Sequence, residues 1–209
     1  MHSALLVVDV QHDFCPGGAL AVPGGDTIIP VVNALLRKIP LSVLTQDWHP
    51  PMHCSFASSR GMAAFSLDTS TNPPSMLWPD HCVAGTQGAD FHHLLETWHA
   101  ALILRKGMRK ELDSYSAFFE NDGVTPTGLG GWLAERGIRH VLVCGLATDY
   151  CVRATALDAC RLGLAVSIIT DAVRAVDASP GDGGRALEAM RAAGCRLVTS
   201  VEILEGAQA

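Results

Sequence analysis

Charge is scarce in this chain: 17% of its 209 residues are Asp, Glu, Lys or Arg, and 15 basic side chains face 21 acidic ones, for a formal net charge of -6. The basic residues are scattered, which argues against a nucleic-acid partner, because a phosphate backbone is bound by grouped Lys and Arg that displace its counterions. Long apolar runs are also missing. No stretch approaches the roughly 18 to 20 continuous apolar residues of a membrane span. The chain enters a strand-like run with no basic leader and cleavage site, so no membrane association is expected and the cytoplasm is the expected compartment. No C-x-x-C pair occurs among the seven cysteines at 15, 54, 82, 144, 151, 160 and 195. An odd count in a chain too large to need disulfide staples implies reduced thiols, most of them small buried hydrophobes like Cys144 in HVLVC. A glycine-rich G-x-G-x-x-G turn is absent after the first strand-like run, where VDVQHDF stands instead, and this counts against a dinucleotide-binding module.

What is abundant is apolar material, 48% of the residues, enough for a core. It falls into six β-branched runs: ALLVVDV (4–10), LSVLTQD (41–47), AALILRK (100–106), HVLVCG (140–145), LAVSIITD (164–171) and RLVTSVEIL (196–204). Near-continuous apolar character marks strands covered on both faces. Helix-like stretches alternate with them: GDTIIPVVNALLRKI, GADFHHLLETWH, LGGWLAERG, TDYCVRATALDACRLG and SPGDGGRALEAMRAAG. Several stop at Gly after a basic last turn. The alternation predicts an α/β fold over residues 1–209 as one domain, a three-layer α/β/α sandwich around a mostly parallel six-stranded sheet. One connection is far longer than usual: residues 48–88 are rich in Pro, His, Trp and Cys with little periodicity, and such loops are commonly functional.

Polar residues interrupt the strand-like runs at their ends. Asp9, Asp47 and Lys106 close three of them, and Cys151 follows a fourth in GLATDYC. In a parallel α/β sheet the carboxyl ends of the strands share one rim, where ligands bind. A thiol beside an ammonium and a helix N-terminus is expected to have a lowered pKa, and a carboxylate there can carry its proton. Nucleophile, proton carrier and electrostatic stabiliser would thus meet. The plainer alternative is a buried Asp9–Lys106 ion pair with Cys151 as a packed hydrophobe; the convergence of all three favours chemistry.

A second constellation is D47-W-H49-P-P-M-H53-C-S55-F, followed by W78-P-D-H81-C. An Asp and a His two residues apart in an extended segment share one side. A third ligand from the long loop would complete an N/O set suited to Zn, Fe or Mn. His2, His12, His92, His93, His99 and His140 read as surface or capping residues.

The ordered blocks LLVVDVQHDFCPGGALAVPGGD, TQDWHPPMHCSFAS, WPDHCVAGTQGAD, KGMRKELDSYSAFF, GLATDYCVRATALDA and ITDAVRAV resemble, over essentially the whole length, the bacterial nicotinamidases and pyrazinamidases of the isochorismatase-like cysteine hydrolases. The resemblance implies that Asp9, Lys106 and Cys151 are the catalytic triad, and that Asp47, His49 and His81 ligate one divalent metal, zinc first and Fe or Mn next. Ser55 matches a position that contributes to the metal shell in some members, directly or through water, and His53 ranks second to His81. Phe14, Trp78, Tyr115 and Tyr150 match substrate-facing positions. The Leu146–Ala147 peptide is expected to be cis, with the Ala147 and Cys151 N–H groups as oxyanion hole. The implied reaction is hydrolysis of nicotinamide to nicotinate and ammonia, with pyrazinamide as a second substrate and a thioester on Cys151. Residues 61–77 match no motif, and the oligomeric state, a homo-oligomer included, is left open. A sibling amidohydrolase acting on a carbamoyl or ureido group is the alternative enzyme; such relatives generally lack the D-W-H and W-P-D-H-C pair. A metal- or nucleotide-binding module without turnover is the alternative outside enzymes.

Overall fold

The computed structural model describes residues 3–71 and 74–206, so His2 lies outside it. Strand β1 (Ser3–Val8) leads through a one-turn 3-10 helix into α1 (Ile29–Lys38), and β2 (Ser42–Asp47) follows. The long 48–88 connection holds the single-turn α2 (Ala57–Arg60) and a two-residue hairpin of β3 (Leu67–Asp68) and β4 (Ser75–Met76). Then come β5 (Leu102–Lys106), α3 (Leu129–Glu135), β6 (His140–Leu146), α4 (Arg153–Arg161), β7 (Ala165–Arg174), α5 (Asp182–Ala192), β8 (Arg196–Val198) and α6 (Ser200–Gly206).

The main sheet has the order β5-β2-β1-β6-β7-β8, and every pairing in it is parallel. Each central strand is buried on both faces because helices cover both. Leu5 and Val7 of β1 pack with Ile29, Val32, Leu35 and Leu36 of α1. Ala4, Leu6 and Val8 point the other way, toward Leu129 and Leu133 of α3, Ala156 and Ala159 of α4 and Met190 of α5. This is the three-layer sandwich that the alternating pattern predicts.

Two helix and strand expectations are corrected. The run RLVTSVEIL is a strand only to Val198. Thr199 and Glu202 then form a reciprocal cap: the Glu202 carboxylate accepts the Thr199 N–H at 2.7 Å and the Thr199 hydroxyl accepts the Glu202 N–H at 3.4 Å. That T-x-x-E box, reinforced by Asp171 accepting from the Ser200 N–H at 2.8 Å, starts α6 where β-branched content alone reads as strand. The segment GADFHHLLETWH is no helix but two 3-10 turns, Gln87–Ala89 and Thr97–His99, joined by irregular chain with a tight turn in which Leu95 N donates to His92 O at 2.9 Å. Asn33 of α1 holds it open, its amide donating to Leu94 O at 2.8 Å and accepting from Glu96 N at 3.0 Å, while Phe91 bridges to Gln11.

The strand order reverses at β1: the chain moves outward through β2 to β5, then returns to add β6 on β1's other side. The crevice beyond the carboxyl ends of strands at such a switch point is where open α/β sheets bind ligands. Gly145, just before the end of β6, is required there. It sits at φ +112°, and a Cβ would lie 2.1 Å from Val8 O, so only glycine lets β6 lie this close to β1.

Candidate active site

Four neighbouring strands deliver their terminal polar residues to the switch point, and Lys106 joins them. Its ammonium, fully buried, lies 2.9 Å from Asp9 Oδ2, 3.5 Å from Cys151 Sγ and 3.0 Å from Ser114 O, and it also pairs with Asp47 Oδ1. Parallel pairing sets this up directly, since Asp47 and Lys106 are register partners at the ends of β2 and β5. Asp9 is held from its other side by the Thr45 hydroxyl, which donates to Oδ1 at 2.6 Å and accepts the Asp9 N–H at 3.2 Å.

Burial and charge act in opposite directions here. Burial raises Asp9 to about 6 although Lys106 pulls it down. Asp47 goes the other way: burial opposes its charge, but Lys106 and His49 outweigh that and hold its carboxyl well below the usual range. Lys106 stays charged because the two carboxylates more than offset its burial. The expectation of a lowered Cys151 pKa is corrected. Burial pushes the thiol well above its ordinary value, Lys106 opposes this, and Asp9 and Asp47 add to it. The resting sulfur is therefore a thiol with a proton acceptor beside it rather than a standing thiolate.

Cys151 sits in Thr148–Val152, a single π turn that runs directly into α4, with Ala147 O accepting from Val152 N at 3.1 Å. Such turns widen a helix start and recur at functional sites. The peptide Leu146–Ala147 is cis, as the resemblance implies. Asp149, buried behind the turn, accepts from Val176 N at 3.0 Å and Asp177 N at 2.9 Å, and so pins the loop that brings Val176 to the site.

Beside this triad, donor atoms of Asp47, His49 and His81 all lie within 4.8 Å of one another, each side chain buried. The set fits a divalent ion in tautomer as well as in distance. His49 Nδ1 donates to Gly107 O at 2.9 Å and His81 Nδ1 to Pro79 O at 2.7 Å, which leaves each Nε2 as the free ligating nitrogen. Asp47 Oδ2 faces His49 Nε2 at 3.7 Å while Oδ1 is taken by Lys106. Burial, and then the neighbouring His49, depress His81 to about 4, so its ring is neutral. His53 and Ser55 are engaged with one another, Nδ1 to Oγ at 2.7 Å; His53 stacks on His49 at 4.2 Å and groups with Asp113.

Both sets open on a narrow cleft lined by Phe14, Trp78, Tyr115 and Tyr150, with Asp47, His49, His81, Ala147 and Cys151 at its polar side. Trp78 meets Tyr150 edge-on at 4.7 Å and donates to the Tyr115 hydroxyl at 3.0 Å, so the walls brace one another. Phe65 packs edge-on against Trp78 at 5.8 Å, and Leu67 and Met76 line a broader groove that shares Asp113, Tyr115 and Tyr150 with the cleft.

All sequence-derived candidates except the Ser55/His53 pair line this cleft or the buried triad beneath it. The sequence reading misses Thr45, Asp113, Leu20 and Val176, and above all Gln11. The Gln11 amide donates to Asp47 O at 2.8 Å and accepts the Asp47 N–H at 2.8 Å, which fixes the backbone that carries the Asp47 carboxylate. Asp13 does the same for the other ligand loop, accepting the Cys82 N–H at 2.7 Å next to His81. The signal for both is their place: each is polar and lies in the short segment that follows Asp9 beyond the end of β1.

A family model described as the Isochorismatase domain matches residues 3–202. A nicotinamidase of Acinetobacter baylyi is 48% identical over 202 residues, which cover 96% of this chain and 94% of that protein. Among solved structures, an Acinetobacter baumanii nicotinamidase/pyrazinamidase matches with a TM-score of 0.94 at 46% identity, over 97% of this chain and 98% of that one. A pyrazinamidase of Pyrococcus horikoshii in complex with zinc matches with a TM-score of 0.78 at 42% identity, over 95% and 99%.

Proposed function

This chain belongs to the isochorismatase family, and we propose that it is a cysteine amidohydrolase that converts nicotinamide to nicotinate and ammonia, accepts pyrazinamide as well, and serves NAD salvage in the reducing cytoplasm. The observation that carries the reading is the convergence of Asp9, Lys106 and Cys151 at the switch point, one cleft away from an Asp/His/His donor set. A carbamoyl or ureido amidohydrolase would need the first group but has no use for the second.

The Cys151 sulfur attacks the carboxamide carbon as Asp9 takes the thiol proton, the coupling that a neutral resting thiol demands. A carboxyl near 6 is suited to this exchange, since an acid–base group works best when its pKa lies close to the operating pH. The Ala147 and Cys151 N–H groups receive the oxyanion, at about 3 to 4 kcal/mol per donor in other hydrolases. Asp9 then gives its proton to the departing nitrogen, ammonia leaves, and a thioester remains. A water attacks that thioester as Asp9 takes its proton; the sulfur leaves and recovers the proton from Asp9. Lys106 keeps its charge throughout and holds both acidic partners in place.

Asp47, His49 and His81 would hold a divalent ion, zinc first, which supplies a Lewis-acid anchor for the pyridine nitrogen. Phe14, Trp78, Tyr115 and Tyr150 wall the ring. The Ser55 hydroxyl is bonded to His53 Nδ1 at 2.7 Å and would join the metal shell directly or through a water.

Ammonia release from nicotinamide by the purified, metal-loaded protein tests the reading; release of none sinks it. Gly107 gives a sharper test of the ligand set. It sits at φ +64°, and a Cβ would lie 2.4 Å from His49 Cε1. Gly107→Ala should displace the His49 ring and weaken zinc binding by about 10- to 100-fold, the usual cost of disturbing an outer partner of a metal ligand. Equilibrium dialysis reads this out, with circular dichroism checking that the fold persists. Unchanged zinc affinity would remove His49 from the set.

A further inference from the structure

We propose that His12, His92 and His93 form a second metal site, apart from the cleft, that takes a divalent ion of the zinc, nickel or copper type. One donor nitrogen of each ring can be chosen so that all three lie within 4.8 Å of one another. The ring centroids are 5.1 Å apart for His12 and His92, 5.6 Å for His12 and His93, and 4.4 Å for His92 and His93. None of the three lines the cleft described above.

The backbone holds the three rings in place. His12 N donates to Asp90 O and His92 N to Val10 O, both at 3.0 Å, on either side of an antiparallel bridge between Gln11 and Phe91. Two chain segments are thus locked side by side, and each presents imidazole to the same spot. Among the described residues, the His12 and His93 rings have no hydrogen-bond or ion-pair partner. His92 Nδ1 has only a long contact from the Leu94 N–H, at 3.3 Å, a small loss beside a metal–nitrogen bond. Three imidazoles with centroids 4 to 6 Å apart, two of them without a hydrogen-bond partner among the described residues and the third with one long contact, are better explained as ligands than as solvated side chains.

The donor chemistry selects the ion. An all-imidazole set with no carboxylate suits zinc, nickel and copper and serves magnesium, calcium and manganese poorly. His93 is exposed, so a position on the ion stays open to solvent. Occupancy would tie residues 10–12 to residues 91–93. Gln11, at the centre of that ladder, is the residue whose amide fixes the Asp47 backbone. The ion should therefore stiffen the support beneath the cleft without entering it.

Nickel uptake by the full chain, already loaded with its first ion, tests this by equilibrium dialysis. Wild type should take up one further nickel ion per chain, with a rise in Tm. His93→Gln should weaken that uptake by more than the roughly 10- to 100-fold that loss of an outer partner costs. It should also abolish the Tm rise while leaving ammonia release and the first ion unchanged. His12→Asn should lose the same uptake, which guards against an effect peculiar to one variant. The proposal is overturned if wild type takes up no further ion, or if both variants take up as much nickel as wild type. Either result is independent of whether the cleft hydrolyses nicotinamide.

Discussion

Cys151→Ala should lower nicotinamide turnover by about 10⁶-fold, the scale seen when the nucleophile of a catalytic triad is removed, while the dissociation constant for nicotinamide stays near that of wild type. The substitution deletes one sulfur from the polar side of the cleft and leaves the aromatic walls and the Asp47/His49/His81 set in place. Asp9→Asn probes the other half of the step. It preserves shape but removes the proton acceptor, and should cost about 10²- to 10⁴-fold in rate. It should also destabilise the fold by about 1 to 3 kcal/mol. Thr45 donates to the Asp9 carboxylate and the Lys106 ammonium pairs with it, and an amide presents a donor to one of them. Because the two residues act on the same proton, the double variant should be about as slow as Cys151→Ala alone. Single-turnover ammonia assays on the three variants check this. Turnover by Cys151→Ala within tenfold of wild type would mean that the reacting carbon is attacked by something else.

The triad is legible in the sequence for a reason that goes beyond pattern matching. A charged or nucleophilic residue at the end of an apolar strand is expensive to bury, and a parallel sheet brings all such ends to one edge. Asp9, Asp47, Lys106 and Cys151 therefore group at one sheet edge on the sequence pattern alone. Their electrostatics do not follow from that pattern, because Lys106 alone would lower the thiol's pKa, whereas its complete burial beside two carboxylates raises it. Gln11 and Thr45 were invisible for a different reason: their role is to bond groups 36 residues away in either direction along the chain, and no local spacing records that. The two misread elements fail at opposite ends of the same scale. At 196–204 a local signal, the Thr199/Glu202 box, outranks β propensity. At 87–99 a distant residue, Asn33, outranks helical periodicity by supplying hydrogen bonds the helix would have made itself.

Removal of the metal should erase the protein's preference for a pyridine ring. Nicotinamide and benzamide differ at one ring atom, so their difference in affinity isolates whatever that nitrogen contacts. In the metal-loaded Cys151→Ala protein, where neither compound is consumed, nicotinamide should bind about 100-fold more tightly than benzamide, a difference of about 2.7 kcal/mol. After chelation the two should converge, because benzamide keeps its contacts with Phe14, Trp78, Tyr115 and Tyr150 and nicotinamide is reduced to the same ones. The cleft itself should survive chelation: Asp47 stays paired with Lys106, and His49 and His81 stay bonded to Gly107 O and Pro79 O, so each ligand has a partner that does not depend on an ion. Titration calorimetry of both compounds, before and after metal removal verified by elemental analysis, measures the effect. A preference for nicotinamide that outlasts the metal would place the ring nitrogen against a protein group rather than against an ion held by Asp47, His49 and His81, and Asp113, which shares the cleft with them, would then be the first residue to substitute.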